Sequence, residues 1–331
     1  MNPSVMHALI QTSLDGPADL RPIADAPVPV PGPGEILIRV TAAGVNYADV
    51  MQAHGSYPDG PRPPYVAGIE AAGEVVAVGD GVEFPVVGMH VAGVDMAGGA
   101  FAEFAALPAA AVMPVPPGWT DEQVLGLGIN WPTALAALKP LGRIASGDTV
   151  LIHAAAGATG QAAVRLAKHY GATVLAAASP GKHDVVRALG ADHVLDSRGA
   201  DLSAEVFRLT EGAGVDLVLE SVGGSTFEDS LAVARRVTGR VVVYGTASGD
   251  VPITNWDLVF KHQIQLIGLN IGVLIRSAPE VFGELMGELS GLLAVGVIPP
   301  GRPAVHPLTD GPKVLAELEN RATVGKLALI P

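Results

Sequence analysis

The run Val150-Leu151-Ile152-His153-Ala154-Ala155-Ala156-Gly157-Ala158-Thr159-Gly160 constrains the fold more than any other stretch of this chain. A short apolar run meets a glycine turn, and an amphipathic segment follows from Gly160 to Tyr170, closed by Gly171. A strand that turns directly into a helix buries its apolar face within layered α/β architecture. Further apolar runs follow at Thr173–Ala177, His193–Leu195, Leu217–Leu219 and Arg240–Tyr244, with a helical segment at Lys182–Leu189 stopped by Gly190. This alternation predicts a doubly wound parallel sheet over residues 126–268.

The glycine spacing in the first turn is that of a dinucleotide fingerprint, with Ala155 where the first glycine of GxGxxG would stand. Gly157 lets the backbone approach a pyrophosphate, and Gly160 lets the helix pack closely on the strand. Ala158 and Thr159 then lie at a helix N-terminus, whose N–H groups and partial positive charge suit an anion. A site for NAD places an acid about 20 residues further on, at the end of the second strand. Here that strand ends Ala176-Ala177-Ala178-Ser179, with Lys182 just beyond and Arg198 after the next strand. The missing acid removes a ribose clamp and a repulsion against phosphate, so NADPH is the predicted cofactor, with Ser179, Lys182 and Arg198 around its 2′-phosphate. Gly223, Gly224, Tyr244 and Gly245 follow the fourth and fifth strands, where the carboxyl ends of the sheet border a ligand crevice. They are the expected surroundings of the nicotinamide half. His153, inside the first turn, is expected to be a packed histidine.

Residues 1 to about 125 have a different texture. Short apolar runs at Ile36–Val40, Gly73–Val78, Val86–Val91 and Ala100–Ala105 are separated by turn signals such as Gly79-Asp80-Gly81 and the connector Pro27–Gly34. They predict a small β-barrel or sandwich. A tail with helices at Val281–Leu293 and Gly311–Glu319 and a last strand at Lys326–Ile330 is too short for a third domain. The expected division is 1–125 with 269–331, and 126–268. The formal charge of −13 disfavours nucleic acid, the absence of cysteine excludes thiolate metal ligation, and no apolar run is long enough to span a bilayer. With no signal peptide evident at Met1–Leu14, a soluble cytoplasmic protein is expected.

Several motifs occur in order along nearly the whole chain. They are Gly44-Val45-Asn46-Tyr47-Ala48-Asp49, Gly55-Ser56-Tyr57-Pro58, Gly68-Ile69-Glu70-Ala71-Ala72-Gly73, the Ala154–Gly160 turn, Leu189-Gly190-Ala191-Asp192, Ser221-Val222-Gly223-Gly224 and Gly325-Lys326. Together they resemble the medium-chain dehydrogenase/reductase superfamily in its quinone oxidoreductase, zeta-crystallin-like branch. The resemblance implies a chaperonin-10-like β-barrel domain completed by the tail, a Rossmann domain between, and a homodimer paired through an edge strand near Ile264–Ile271.

Zinc-dependent members of that superfamily carry cysteine where Asn46 stands and histidine where Ile69 stands, so the resemblance implies chemistry without a catalytic metal. Acceptors that are already electrophilic, quinones and α,β-unsaturated carbonyls, then suit a hydride donor. Tyr57 matches a family tyrosine that contacts or polarises the substrate. A second family tyrosine falls at Met51, which leaves the proton donor open. Asn46 is expected to hydrogen-bond substrate or nicotinamide ribose. Thr133, early in a linking helix, either contacts the cofactor or bonds backbone. Asn270 either faces the site or pairs with backbone, and Lys326 reaches Asn46, the cofactor or solvent. Two alternatives stay open: an enoyl-thioester reductase and a non-catalytic NADPH-binding protein.

Overall fold

The computed structural model describes residues 3–199 and 201–331, and two compact units emerge, Met1–Gly128 with Pro300–Pro331, and Ile129–Pro299.

The first unit is built on the long strand Glu35–Val45. That strand pairs antiparallel with Glu70–Val78, with Phe104–Pro108 and, at its far end, with Leu327–Ile330. His90–Val94 and Val112–Pro114 extend one side of the sheet, and Ala304–Pro307 extends the other. A smaller sheet joins Val5–Gln11 to Leu20–Pro27 and Tyr65–Val66. The core between them includes Leu9, Leu20, Ile36, Ile38, Phe101, Leu315 and Leu329. Each such side chain, when fully buried, contributes roughly 1.5–3 kcal/mol. Two expected strands move. Val86–Val91 becomes His90–Val94, because Val86 and Val87 are exposed at a turn. Ala100–Ala105 becomes Phe104–Pro108, because Phe101 is already bonded through its backbone to Leu9 and Ala67.

The second unit holds a six-stranded parallel sheet. Its strands are β1 (Thr149–Ile152), β2 (Thr173–Ala178), β3 (His193–Asp196), β4 (Leu217–Glu220), β5 (Arg240–Val243) and β6 (Gln265–Gly268), in the order β3-β2-β1-β4-β5-β6. These strands are near-continuous apolar runs, as a sheet covered on both faces requires. The helix Ala158–His169 follows β1 and stops at Gly171, whose φ of 79° is the left-handed conformation that ends helices. The strand order reverses between β1 and β4, which places the crevice of this sheet at their carboxyl ends.

The expected boundary at 268 is corrected. Residues 269–299 pack with the sheet-bearing unit. Helices Ile271–Ser277 and Pro279–Ala294 lie against the helix Asn130–Ala136, and the Tyr170 hydroxyl donates to Glu288 at 2.6 Å. Only from Pro300 does the tail return to the first unit. Among the described residues no helix is long and apolar enough to cross a membrane.

Candidate active site

At the end of β1 the chain turns through Ala154, which holds a positive φ of 47°, and Gly157 caps the helix Ala158–His169 in extended conformation. Ala158, Thr159 and Gly160 are the first three helical residues, so their N–H groups lack partners within the helix and point out of its positive end. The two glycines differ in origin. A Cβ on Gly160 would lie 2.3 Å from the Ala154 carbonyl oxygen, so helix–strand packing alone demands glycine there. A Cβ on Gly157 would meet a single neighbour within 4 Å, the Ala154 carbonyl oxygen at 3.3 Å, a tight contact short of a clash that leaves space on its other sides. An anion cradled by the helix end fits that space. Ala155 is wholly buried and offers only backbone, its N–H donating to Ala177. Thr159 accepts from the Asn130 amide at 3.1 Å, and the Thr133 hydroxyl donates to the Ile129 carbonyl at 2.6 Å.

Beyond β2, Ser179 precedes a short turn of helix, Pro180–Lys182. Lys182 and Arg198 come within electrostatic reach of each other. Burial lowers the Lys182 pKa, and the neighbouring guanidinium lowers it further. Two cations converge where β2 ends in alanines and a serine, and this donor set fits a 2′-phosphate.

The loops after β4 and β5 are stitched together. Gly224 and Ser248 donate backbone bonds to Gly249 and Val222 respectively. A Cβ on Gly223 would lie 2.3 Å from the Gly249 oxygen, and one on Gly245 would lie 2.7 Å from the Ser221 oxygen. Loop-on-loop packing therefore accounts for both glycines. Burial pushes the Tyr244 hydroxyl up to about 12, against a hydrogen bond with Ser221. Beneath the loops, the Ser230 hydroxyl bridges His153 and Glu220, all three buried. His153 is indeed a packed histidine. The sequence reading missed Ser230 and Glu220; the available signal was an acid closing the apolar run Leu217–Leu219.

In the first unit, Asn46 starts the helix Tyr47–Ala53 and is 5% exposed. Its amide is fully engaged. Nδ2 donates to Glu70 at 2.9 Å and to the Gly44 carbonyl at 3.2 Å, while Oδ1 accepts from Lys326 Nζ at 2.7 Å. Lys326 also donates to the Val45 carbonyl and forms an ion pair with Glu70. Asp49 accepts the Asn46 and Ile69 backbone N–H groups at 2.7 and 3.1 Å. Burial pushes its carboxyl up to about 7; the backbone bond from Asn46 and the Lys326 charge pull against this, and Glu70 adds to it. The structure thus brings Asn46 and Lys326 together, with Asp49 and Glu70 completing the cluster. Tyr57 is not part of it. It lies half-exposed in the turn that follows the helix, beyond its last residue Ala53. Asn270 belongs to the other unit, where its side chain caps the helix Ile271–Ser277 by accepting from Val273 at 3.0 Å. Among the described residues no three His, Asp or Glu side chains gather as a metal-ligating group.

Residues 158–290 match the zinc-binding dehydrogenase family, and residues 32–117 match the alcohol dehydrogenase GroES-like domain. The chain is similar to Escherichia coli quinone oxidoreductase complexed with NADPH, at 30% identity and a TM-score of 0.90, over 98% of this chain and 100% of that one. It is similar to the CurK enoyl reductase at 28% identity and a TM-score of 0.87, over 98% and 99% of the two chains. It also matches the phthioceranic/hydroxyphthioceranic acid synthase of Mycobacterium tuberculosis (strain ATCC 25618 / H37Rv) at 35% identity over 304 residues, 90% of this chain. It spans only 14% of that synthase's length.

Proposed function

This chain belongs to the medium-chain dehydrogenase/reductase superfamily, and on that footing we propose that it is an NADPH-dependent reductase of quinones or α,β-unsaturated carbonyls that works without a catalytic metal. The observation that carries the reading is the Asn46–Lys326–Glu70 cluster. Asn46 stands where the resemblance places a zinc-ligating cysteine, and its amide is tied up with Glu70 and Lys326, which favours an acceptor electrophilic in its own right. Similarity to a quinone oxidoreductase supports the same substrate class.

Bound NADPH supplies the hydride. The end of the helix Ala158–His169 holds the pyrophosphate, with Gly157 giving it room. Ser179, Lys182 and Arg198 take the 2′-phosphate. The paired loops carrying Gly223, Tyr244 and Gly245 border the nicotinamide half. Tyr57, a half-exposed tyrosine of the first unit, donates to the oxyanion that develops on the acceptor, and Tyr57 or solvent delivers the proton. Asn46 and Lys326, bonded to each other and to the Val45 carbonyl, hold the local backbone in place beside the expected contact of Asn46 with substrate or nicotinamide ribose. Thr133 and Asn270 serve their own helices. The edge strand β6 pairs two copies into a dimer, to be checked by light scattering.

The test is steady-state NADPH oxidation with an ortho-quinone by metal-free protein, with NADH run beside it. Turnover that prefers NADPH is expected, with a loss of about tenfold or more in kcat/KM for Tyr57→Phe and a selective rise in KM for NADPH for Lys182→Ala. Bound NADPH without turnover of any quinone or enone would sink the substrate assignment. A second reading, reduction of enoyl thioesters, is favoured by the likeness to the CurK enoyl reductase. Crotonyl-thioester turnover exceeding that of the quinone would replace the first reading with it.

A further inference from the structure

Glu220 plays no part in the chemistry above, yet it is the most deeply placed acid at the reversal of strand order. It closes β4 with no exposure to solvent. Its Oε1 accepts the N–H groups of Val222 at 2.5 Å and Gly223 at 2.9 Å, and its Oε2 accepts the Ser230 hydroxyl at 2.5 Å. Oε1 thus takes two backbone donors that can serve only an acceptor, and Oε2 faces a hydroxyl. Ser230 has a single proton, which can face Glu220 Oε2 or the Thr226 carbonyl at 2.8 Å; when it faces Glu220, the Ser230 oxygen takes the Nε2–H of His153 at 3.0 Å.

No cation answers the Glu220 carboxylate. Among the described residues the basic group that reaches Glu220 is His153, with Nε2 at 3.8 Å from Oε2, and burial lowers the His153 pKa and so keeps the ring neutral. The other titratable neighbours are Tyr244, whose raised pKa keeps it protonated, and Asp229, an acid that bears on His153. A buried carboxylate without a cation is costly, and three hydrogen bonds offset only part of that cost. The charge also sits where the crevice of the sheet lies. Glu220 ends β4, His153 follows β1, and these are the two strands between which the order reverses.

We propose that Glu220 is a positioning residue acting through its charge, a fixed anion that stabilises the cationic, oxidised nicotinamide ring over the neutral reduced one. The proposal rests on the NADPH reading above. When hydride leaves the ring, two electrons and one proton pass to the acceptor carbon, a C–H bond forms there, and the ring goes from neutral to singly positive. The oxyanion formed on the acceptor takes its proton from Tyr57 or solvent. A carboxylate held in a dry site before the reaction gains attraction only as that positive charge grows, which is differential stabilisation of the transition state.

Glu220→Gln tests this without emptying the network. The amide oxygen can face the Val222 and Gly223 N–H groups while the amide nitrogen donates to Ser230, whose proton turns to the Thr226 carbonyl at 2.8 Å. Affinities for NADP+ and for NADPH are measured separately by calorimetry on the full chain. The expected result is NADP+ weakened about tenfold with NADPH changed less than about twofold. Ser230→Ala, which keeps the charge, should leave the ratio of the two affinities unaltered. Equal weakening of both forms by Glu220→Gln would show a purely structural residue and overturn the proposal while leaving the cofactor reading intact. Wild-type protein that binds neither form would overturn the cofactor reading and this inference with it. Should Glu220→Gln fail to fold, the wild type carries the test: NADP+ should bind at least as tightly as NADPH, and a tenfold preference for NADPH refutes the anion's role.

Discussion

Lys326 carries more of the first unit than its place near the end of a strand suggests. Its ammonium satisfies the Val45 carbonyl, the Asn46 amide oxygen and the buried Glu70 carboxylate together. Lys326→Met should therefore destabilise the protein by about 3–5 kcal/mol, because Glu70 is left as an unpaired buried charge. Adding Glu70→Gln should recover part of that loss; urea denaturation of the single and double variants checks both. Asp49 gives a pH prediction. Its carboxyl moves from the ordinary 3.8 to about 7, so between those values the native state holds a proton that the unfolded chain has lost. The contribution of Asp49 to stability is greatest below pH about 4 and declines as pH rises through about 7. A carboxyl-carbon NMR titration of Asp49 should show a midpoint near 7, and one near 4 would contradict the assignment. The sequence disclosed Asn46 through its motif and Lys326 as one possible partner, but not Glu70. Glu70 and Lys326 are far apart in the chain, and only the pairing of Glu35–Val45 with two other strands brings them to one point.

Helix and strand meet most tightly at Gly160. Gly160→Ala puts a methyl against the Ala154 carbonyl, so the helix Ala158–His169 must lift from β1. The expected cost is about 1–3 kcal/mol, with NADPH binding weakened by more than the stability loss alone predicts; calorimetry beside thermal melts separates the two. Gly157→Ala, whose methyl meets the Ala154 carbonyl oxygen at 3.3 Å rather than 2.3 Å, should cost less stability than Gly160→Ala and lose cofactor affinity. The packing duty of Gly160 was legible beforehand, because the spacing puts it at the glycine where helix and strand close up. The parallel strands were equally legible, as apolar runs between glycine stops. The barrel strands were not. Ala100–Leu107 is apolar but for Glu103, and which part of it becomes Phe104–Pro108 depends on bonds from Phe101 to Leu9 and Ala67 that local pattern does not contain. The network of Glu220, Ser230 and His153 was hidden for the same reason, since Ser230 and His153 are 77 residues apart.

At the scale of the molecule, one unit is a single stretch of chain and the other is not. Residues 129–299 contain all six strands of the parallel sheet and their own core, including Leu151, Val206, Val218 and Leu231. That segment expressed alone should fold cooperatively and bind NADPH. Residues 1–128 alone should not, because Leu327–Ile330 and Ala304–Pro307 are missing from their sheet. Circular dichroism melts of the two fragments decide the matter. The boundary near 299 escaped the sequence because the last sheet strand ends at Gly268, whereas the two helices that follow are assigned by packing, not by pattern. The split of the first unit also reaches into synthesis on the ribosome. The stretch Ala43–Val45 emerges early, but its partners Leu327–Leu329 follow only after the whole second unit has been made, on the order of tens of seconds later at about 5–20 residues per second. For that interval a nascent sheet shows an open edge of the kind that recruits other chains. The second unit, complete sooner, is then the natural first folder, and slowed translation between the two would be felt as aggregation rather than as lost activity.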